Sequence, residues 1–88
     1  MSITPSALIR TSDFFKMARI YGGLPYLSSL PGSAAERAGL RWGDVVVAIN
    51  GQPTPDVDSF VQARALREGG ATVRFMRDGA ELEVELTW

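Results

Sequence analysis

Apolar and polar positions alternate most regularly near the end of the chain, on either side of Asp78-Gly79. Asp-Gly is a favoured pair for a type I′ turn, because both central residues must take positive φ. Counting outward from it sets Phe75 opposite Leu82, Val73 opposite Val84 and Arg74 opposite Glu83. One face of such a pair is apolar, and the other turns Glu81, Glu83 and Glu85 to water. The pattern predicts a half-buried antiparallel hairpin. Val45 to Ile49 is nearly continuous in apolar residues and stops at Asn50-Gly51, which predicts a central strand buried on both faces. Two more strands are expected. One runs from about Tyr26 to Leu30 and ends at Pro31-Gly32, and the other covers about Phe15 to Tyr21 and turns at Gly22-Gly23.

Helix signals lie between these strands. Ser33-Ala34-Ala35-Glu36 has the form of a capping box, with the Ser33 hydroxyl accepting from the Glu36 amide and the carboxylate reaching back to Ser33. Gly39 supplies a left-handed C-terminal cap, so this helix is short. Asp56 is a good N-cap for a longer helix from Val57 to about Arg67, which Gly69-Gly70 ends. Arg64 and Arg67 suit the dipole of its last turns. Thr4-Pro5 reads as an N-cap with proline at the first helical position, giving a short helical arm from Pro5 to Thr11. The expected fold is mixed α/β, rich in antiparallel strands, closed as a small β-barrel or sandwich with two helices. Residues 1–13 are read as an N-terminal arm and 14–88 as the domain.

Composition narrows the function classes. The 88 residues allow one small domain, which buries about 60–65 % of its unfolded surface. A large enclosed active site on top of its core is not expected. Nine basic and ten acidic side chains give a formal net charge of -1, which argues against a nucleic-acid partner. There is neither Cys nor His, so disulfides, thiolate or histidine metal sites, Cys nucleophiles and Ser-His-Asp catalysis are excluded. Lys16 is the only Lys, and no spacing supports a Ser-Lys dyad. The acids show no metal-ligand spacing and no Gly-rich loop resembles a phosphate cradle, so no cofactor is expected. Residues 1–10 lack the apolar core of a signal peptide, and no run approaches a membrane span. The expected location is cytoplasmic if Met1 is the natural start, with the periplasm open to a domain cut from a larger protein.

From Leu30 to Val57 the chain carries Pro31-Gly32-Ser33-Ala34-Ala35, then Ala38-Gly39-Leu40-Arg41-Trp42-Gly43-Asp44, the Val45 to Ile49 strand and Asn50-Gly51-Gln52-Pro53. This block closely resembles the PDZ domain in the form attached to bacterial HtrA-type and site-2 proteases. The resemblance continues more loosely to Arg77-Asp78-Gly79. It implies a PDZ-like module that captures a protein C-terminus, or an extended segment, as an added strand beside the long helix. The alternatives it leaves open are a substrate-recruiting or regulatory domain of a bacterial protease, and a degenerate oligomerisation domain. None of these makes the chain an enzyme by itself. Asp44 reads as a turn or strand-start hydrogen-bonding residue rather than a catalytic one.

By the same resemblance, a loop of backbone N–H groups should hold the peptide's terminal carboxylate just before a groove strand. One placement puts it at Phe14, Phe15, Lys16 and Met17, with Ala18 and Arg19 continuing the strand, although Lys16 stands where the family prefers Gly. The other placement, Tyr21-Gly22-Gly23-Leu24, has the glycines but is followed by Pro25, which has no N–H. Phe14 and Phe15 read equally well as core residues. If Phe60 points to the core, the groove face of the helix is Val57, Val61 and Arg64, at i, i+4 and i+7. The alternative is that Val57 and Val61 pack inside. Val57 stands where class I domains carry His, so a hydrophobic-x-hydrophobic C-terminus is the expected ligand. Trp42 either marks an interaction surface or covers the end of the short helix.

Overall fold

In the computed structural model, which describes residues 10–28 and 30–88, the chain runs α1 (Thr11–Tyr21), β1 (Leu24–Pro25), α2 (Ala34–Arg37), β2 (Val45–Ile49), β3 (Gln52–Pro53), α3 (Val57–Arg64), β4 (Gly70–Arg77) and β5 (Ala80–Thr87). The strands form one antiparallel sheet in the order β1-β2-β4-β5, with β3 paired to β2 off that path. The mixed α/β class is the expected one. Residues 1–9 of the proposed arm lie outside the described residues, and α1 crosses the expected boundary after residue 13.

The hairpin forms as its turn chemistry dictates. Asp78 and Gly79 take φ of 51° and 81°, and the pairs Phe75↔Leu82, Arg74↔Glu83 and Val73↔Val84 follow. β2 is buried from both sides, because successive side chains of a strand point to opposite faces. Val46 and Ile49 join Leu40, Ala63, Val73 and Phe75 in the main core, against which Phe60 of α3 packs. Val45 points the other way and meets Phe14 and Ala18 of α1. Trp42 lies tilted on Phe14, with ring centroids 4.8 Å apart, so it covers α1 rather than offering an open surface.

Three expectations are corrected here. The stretch Phe15 to Tyr21 is helix, not strand. Phe14 and Ala18 recur four residues apart, and Met17 packs beside them, so one stripe covers Val45 while Ile20 stays exposed. Gly22, at φ 69°, ends α1, and Gly23 passes so close to β2 that a Cβ there would run into the Val46 carbonyl. The described residues of the stretch expected as a strand from Tyr26 to Leu30 form none, and the strand lies earlier, at Leu24–Pro25, paired with Val46 and Val45. Beyond Pro25, among the described residues, only the Tyr26 N–H still donates into this edge, to the Asp44 carbonyl at 2.9 Å, because β2 begins at Val45. The long helix ends at Arg64 instead of Arg67. The Ala63 carbonyl accepts from the Leu66 N–H at 3.3 Å and from Asn50 Nδ2 at 2.9 Å, which closes the last turn early.

The short helix also differs in detail. Ser33 Oγ accepts from the Glu36 N–H at 3.3 Å, as a cap should, but the Glu36 carboxylate takes the Gly32 N–H at 3.0 Å. The Ser33 N–H is already donated to the Leu30 carbonyl. Asp44 is fully buried and bound at both oxygens by Arg77, Nε to Oδ1 and Nη2 to Oδ2, each at 2.7 Å. The Arg41 N–H donates to the same carboxylate at 2.9 Å, and Arg77 Nη2 reaches the Gly39 carbonyl at 2.8 Å. Hydrogen bonding to Asp44 pushes the Arg77 pKa further up. Asp44 is therefore structural, in line with its sequence context.

Arg77→Met keeps the aliphatic stem but leaves the Asp44 carboxylate buried without a cation. It should lower stability in urea denaturation by about 3–5 kcal/mol. Arg74→Ala removes two ion pairs with exposed Glu81 and Glu83, and should change stability by less than about 1 kcal/mol.

Candidate functional site

α3 is held to the sheet at both ends. At its start, Asp56 Oδ1 accepts from the Ser59 N–H at 2.8 Å and from Ser59 Oγ at 2.7 Å. The backbone hydrogen bond first, and the hydroxyl second, hold the Asp56 carboxyl below its ordinary 3.8. Just before it, buried Thr54 donates from Oγ1 to the Val46 carbonyl at 2.9 Å and from its N–H to the Val47 carbonyl at 3.1 Å. The β2–β4 register shifts at this point, between Val46 and Ala48. At the other end Asn50 binds the Ala63 carbonyl through Nδ2 while its Oδ1 accepts from the Thr72 N–H at 3.0 Å.

This suspension sets which side chains of α3 face out. Phe60 is half-buried against the core and Ala63 is buried, whereas Val57 and Val61 are 64 % and 58 % exposed. Arg64, one turn on, is exposed as well. Beneath α3 lies an apolar cavity of about 110 Å³, with Tyr26, Leu40, Phe60 and Leu86 in its wall. Arg64 and Trp88 are the exposed residues of that wall and mark its mouth. A shallower groove continues from there past Val61, Ala65 and Glu68. The Arg64 guanidinium stacks 4.8 Å above the Trp88 ring. The Tyr26 hydroxyl, in the same wall residue, is buried without a hydrogen-bond partner among the described residues.

The structure brings Val57, Val61 and Arg64 onto one stripe, but it does not bring Phe14 to Arg19 beside them. Those six residues belong to α1, so they form no groove strand. Phe14 and Ala18 are buried, Met17 packs against their cluster, and Phe15, Lys16 and Arg19 face solvent. The second loop placement fails for a different reason. The N–H groups of Gly22 and Gly23 already donate to the Arg19 and Ala18 carbonyls, so they close α1 instead of cradling an anion. Trp88 also stands in the cavity wall, a place the sequence did not assign to it. Its signal was present, because Val84, Leu86 and Trp88 continue one alternation. Among the described residues no cluster of acids could hold a metal ion, and no helix is long and apolar enough to cross a membrane.

A profile described as the PDZ domain matches residues 27–76, more than half of the chain. The chain belongs to the PDZ family. The PDZ domain is 40 % identical over 63 residues to the periplasmic pH-dependent serine endoprotease DegQ of Escherichia coli, a match that covers 66 % of this chain and 13 % of DegQ. It is 43 % identical over 63 residues to a protein of Ralstonia nicotianae named as a zinc metalloprotease, covering 69 % of this chain and 14 % of that one. The PDZ domain thus spans about a seventh of the length of these relatives. Among solved structures it resembles the HtrA3 PDZ domain bound to a phage-derived ligand, FGRWV, with a TM-score of 0.67 and 27 % identity. That match covers 99 % of this chain and 77 % of the other. GtR34C from Geobacillus thermodenitrificans matches with a TM-score of 0.62 and 36 % identity over 76 % of this chain and 78 % of that one.

The Asp56 cap gives the helix wall a pH signature. A carboxyl held below 3.8 in the folded state contributes fully above that value and loses its contribution as pH falls through it. Asp56→Ala should lower the thermal midpoint at neutral pH. The gap to wild type should stay constant down to about pH 5 and narrow steadily below 3.8.

Proposed function

We propose that this PDZ domain captures protein C-termini, or extended segments, as a strand added beside α3, and that it serves a larger bacterial protease as a substrate-recruiting or regulatory domain. The observation that carries this reading is the apolar cavity beneath α3, whose mouth opens into a groove lined by exposed Val61. Exposed apolar side chains next to a concave apolar site are what peptide recognition beside a helix requires. The ligand in the HtrA3 structure supports it, and so do the protease relatives. The DegQ relationship favours the periplasm over the cytoplasm as the working compartment. Catalysis belongs to other parts of such a protease.

A peptide array with free C-termini tests the reading directly. Hydrophobic-x-hydrophobic termini should bind about tenfold tighter than Ser/Thr-x-hydrophobic ones, because Val57 and Val61 offer burial and no hydrogen bond. Best binding by Ser/Thr-x-hydrophobic peptides would refute the class, and no binding by any peptide would refute capture itself. Val61→Asp should abolish binding with an unchanged denaturation midpoint. Phe60→Ala should instead destabilise the domain by about 3 kcal/mol, the low end for a core Phe, since Phe60 is only half-buried.

A further inference from the structure

We infer that the outer edge of β5 takes a second extended segment, one with Lys or Arg at alternate positions and apolar residues between them. This site lies apart from the groove beside α3 and does not depend on it. β5 ends the sheet order, and among the described residues only β4 pairs with it. A two-residue turn hydrogen-bonds its flanking residues, Arg77 and Ala80, so every second residue of β5 from Ala80 onward bonds inward to β4. The same parity holds at the far end, where the Trp88 N–H donates inward to the Gly69 carbonyl at 3.1 Å. Thr87, one residue out of step, turns its carbonyl outward, where Arg37 Nη2 donates to it at 2.7 Å. The N–H and C=O groups that point away from the sheet between these ends belong to Glu81, Glu83 and Glu85.

Those three residues also choose the occupant. A second copy laid along β5 would set Glu opposite Glu, which opposes edge pairing. A basic segment meets the same row with opposite charge. Arg74 reaches one oxygen of Glu81 and one of Glu83, at 3.6 and 3.5 Å, and is shared between them. Two guanidiniums, those of Arg67 and Arg74, thus serve three carboxylates whose side chains are more than half exposed. On the other face of β5, Leu82 is 40 % exposed although Phe75, opposite it on β4, is buried. Leu82 is uncovered because the sheet stops at its strand. An added segment therefore matches β5 position by position, with cations opposite Glu81, Glu83 and Glu85 and apolar side chains opposite Leu82 and Val84.

The probe is the peptide Lys-Val-Lys-Val-Lys, acetylated and amidated so that it has no free C-terminus. Titrated into the isotope-labelled domain and followed by NMR, it should shift the amide signals of Glu81, Glu83 and Glu85 and leave those of Val57 and Val61 in place. A Lys-Lys-Val-Val-Lys peptide of the same composition should bind about tenfold weaker. N-methylation of the central Lys removes the N–H that faces Glu83 and should weaken binding about tenfold. N-methylation of the Val before it, whose N–H faces away, should change binding less than about twofold. Glu83→Gln should weaken the peptide about threefold with an unchanged thermal midpoint. Equal binding of the rearranged peptide, or equal effects of the two N-methyl groups, overturns strand addition and leaves only unspecific charge attraction. Shifts at Val57 and Val61 in place of the Glu amides, or no shift at millimolar peptide, overturn the site. A dimer of the domain whose Glu83 amide is protected from exchange overturns the choice of partner.

Discussion

Arg77 gripping the buried carboxylate of Asp44 is the contact on which the two halves of the fold depend. Asp44 ends the turn that leads out of α2 and opens β2, and Arg77 ends β4. A carboxylate with no exposure is tolerable only with its charge matched and its lone pairs filled. Here the guanidinium fork and the Arg41 N–H supply both. The same guanidinium also binds the Gly39 carbonyl, so one side chain joins the end of α2, the start of β2 and the end of β4. The pair fixes geometry more than it adds stability. Its cost appears when one partner is taken away.

From that frame α3 is hung as a rigid wall. Asn50 bridges its last turn to β4, Thr54 pins the preceding segment to β2, and Asp56 caps its first turn. Three polar side chains thereby decide which way the apolar ones point. Phe60 and Ala63 face inward because the helix axis is set at both ends, and Val57 and Val61 are left outside. In a domain this small, leaving two valines in water is a standing loss of burial. On the proposed reading, a bound peptide that covers them recovers it.

Charge is distributed unevenly over the two faces of the sheet. The outer face of the hairpin partly neutralises itself, with Arg74 between Glu81 and Glu83 and Arg67 on Glu85. Such exposed pairs add little to stability. Arg64 is left at the mouth of the apolar cavity, with a ring under it and no ion pair among the described residues.

What the sequence alone determined was whatever local sterics decide. Asp78-Gly79 dictates positive φ at both positions, so the hairpin register could be counted residue by residue. The β2 run, the Ser33 and Asp56 caps and the Gly39 turn follow from their own neighbours in the same way, and the PDZ block around them was legible for that reason. What only the tertiary structure decided were the features set by partners far along the chain. Phe15 to Tyr21 has enough aromatic and branched residues to pass for a strand, Arg10 offers α1 no side-chain cap, and only the packing of Val45 on this side of the sheet makes the stripe of Phe14 and Ala18 worth burying as a helix. The end of α3 depends on Asn50, the pairing of Asp44 on Arg77, and the stacked Arg64 on Trp88, at separations of 13, 33 and 24 residues. Local pattern carries turn and cap geometry because those energies act within a few residues. The groove is assembled from contacts that exist only once the sheet has closed.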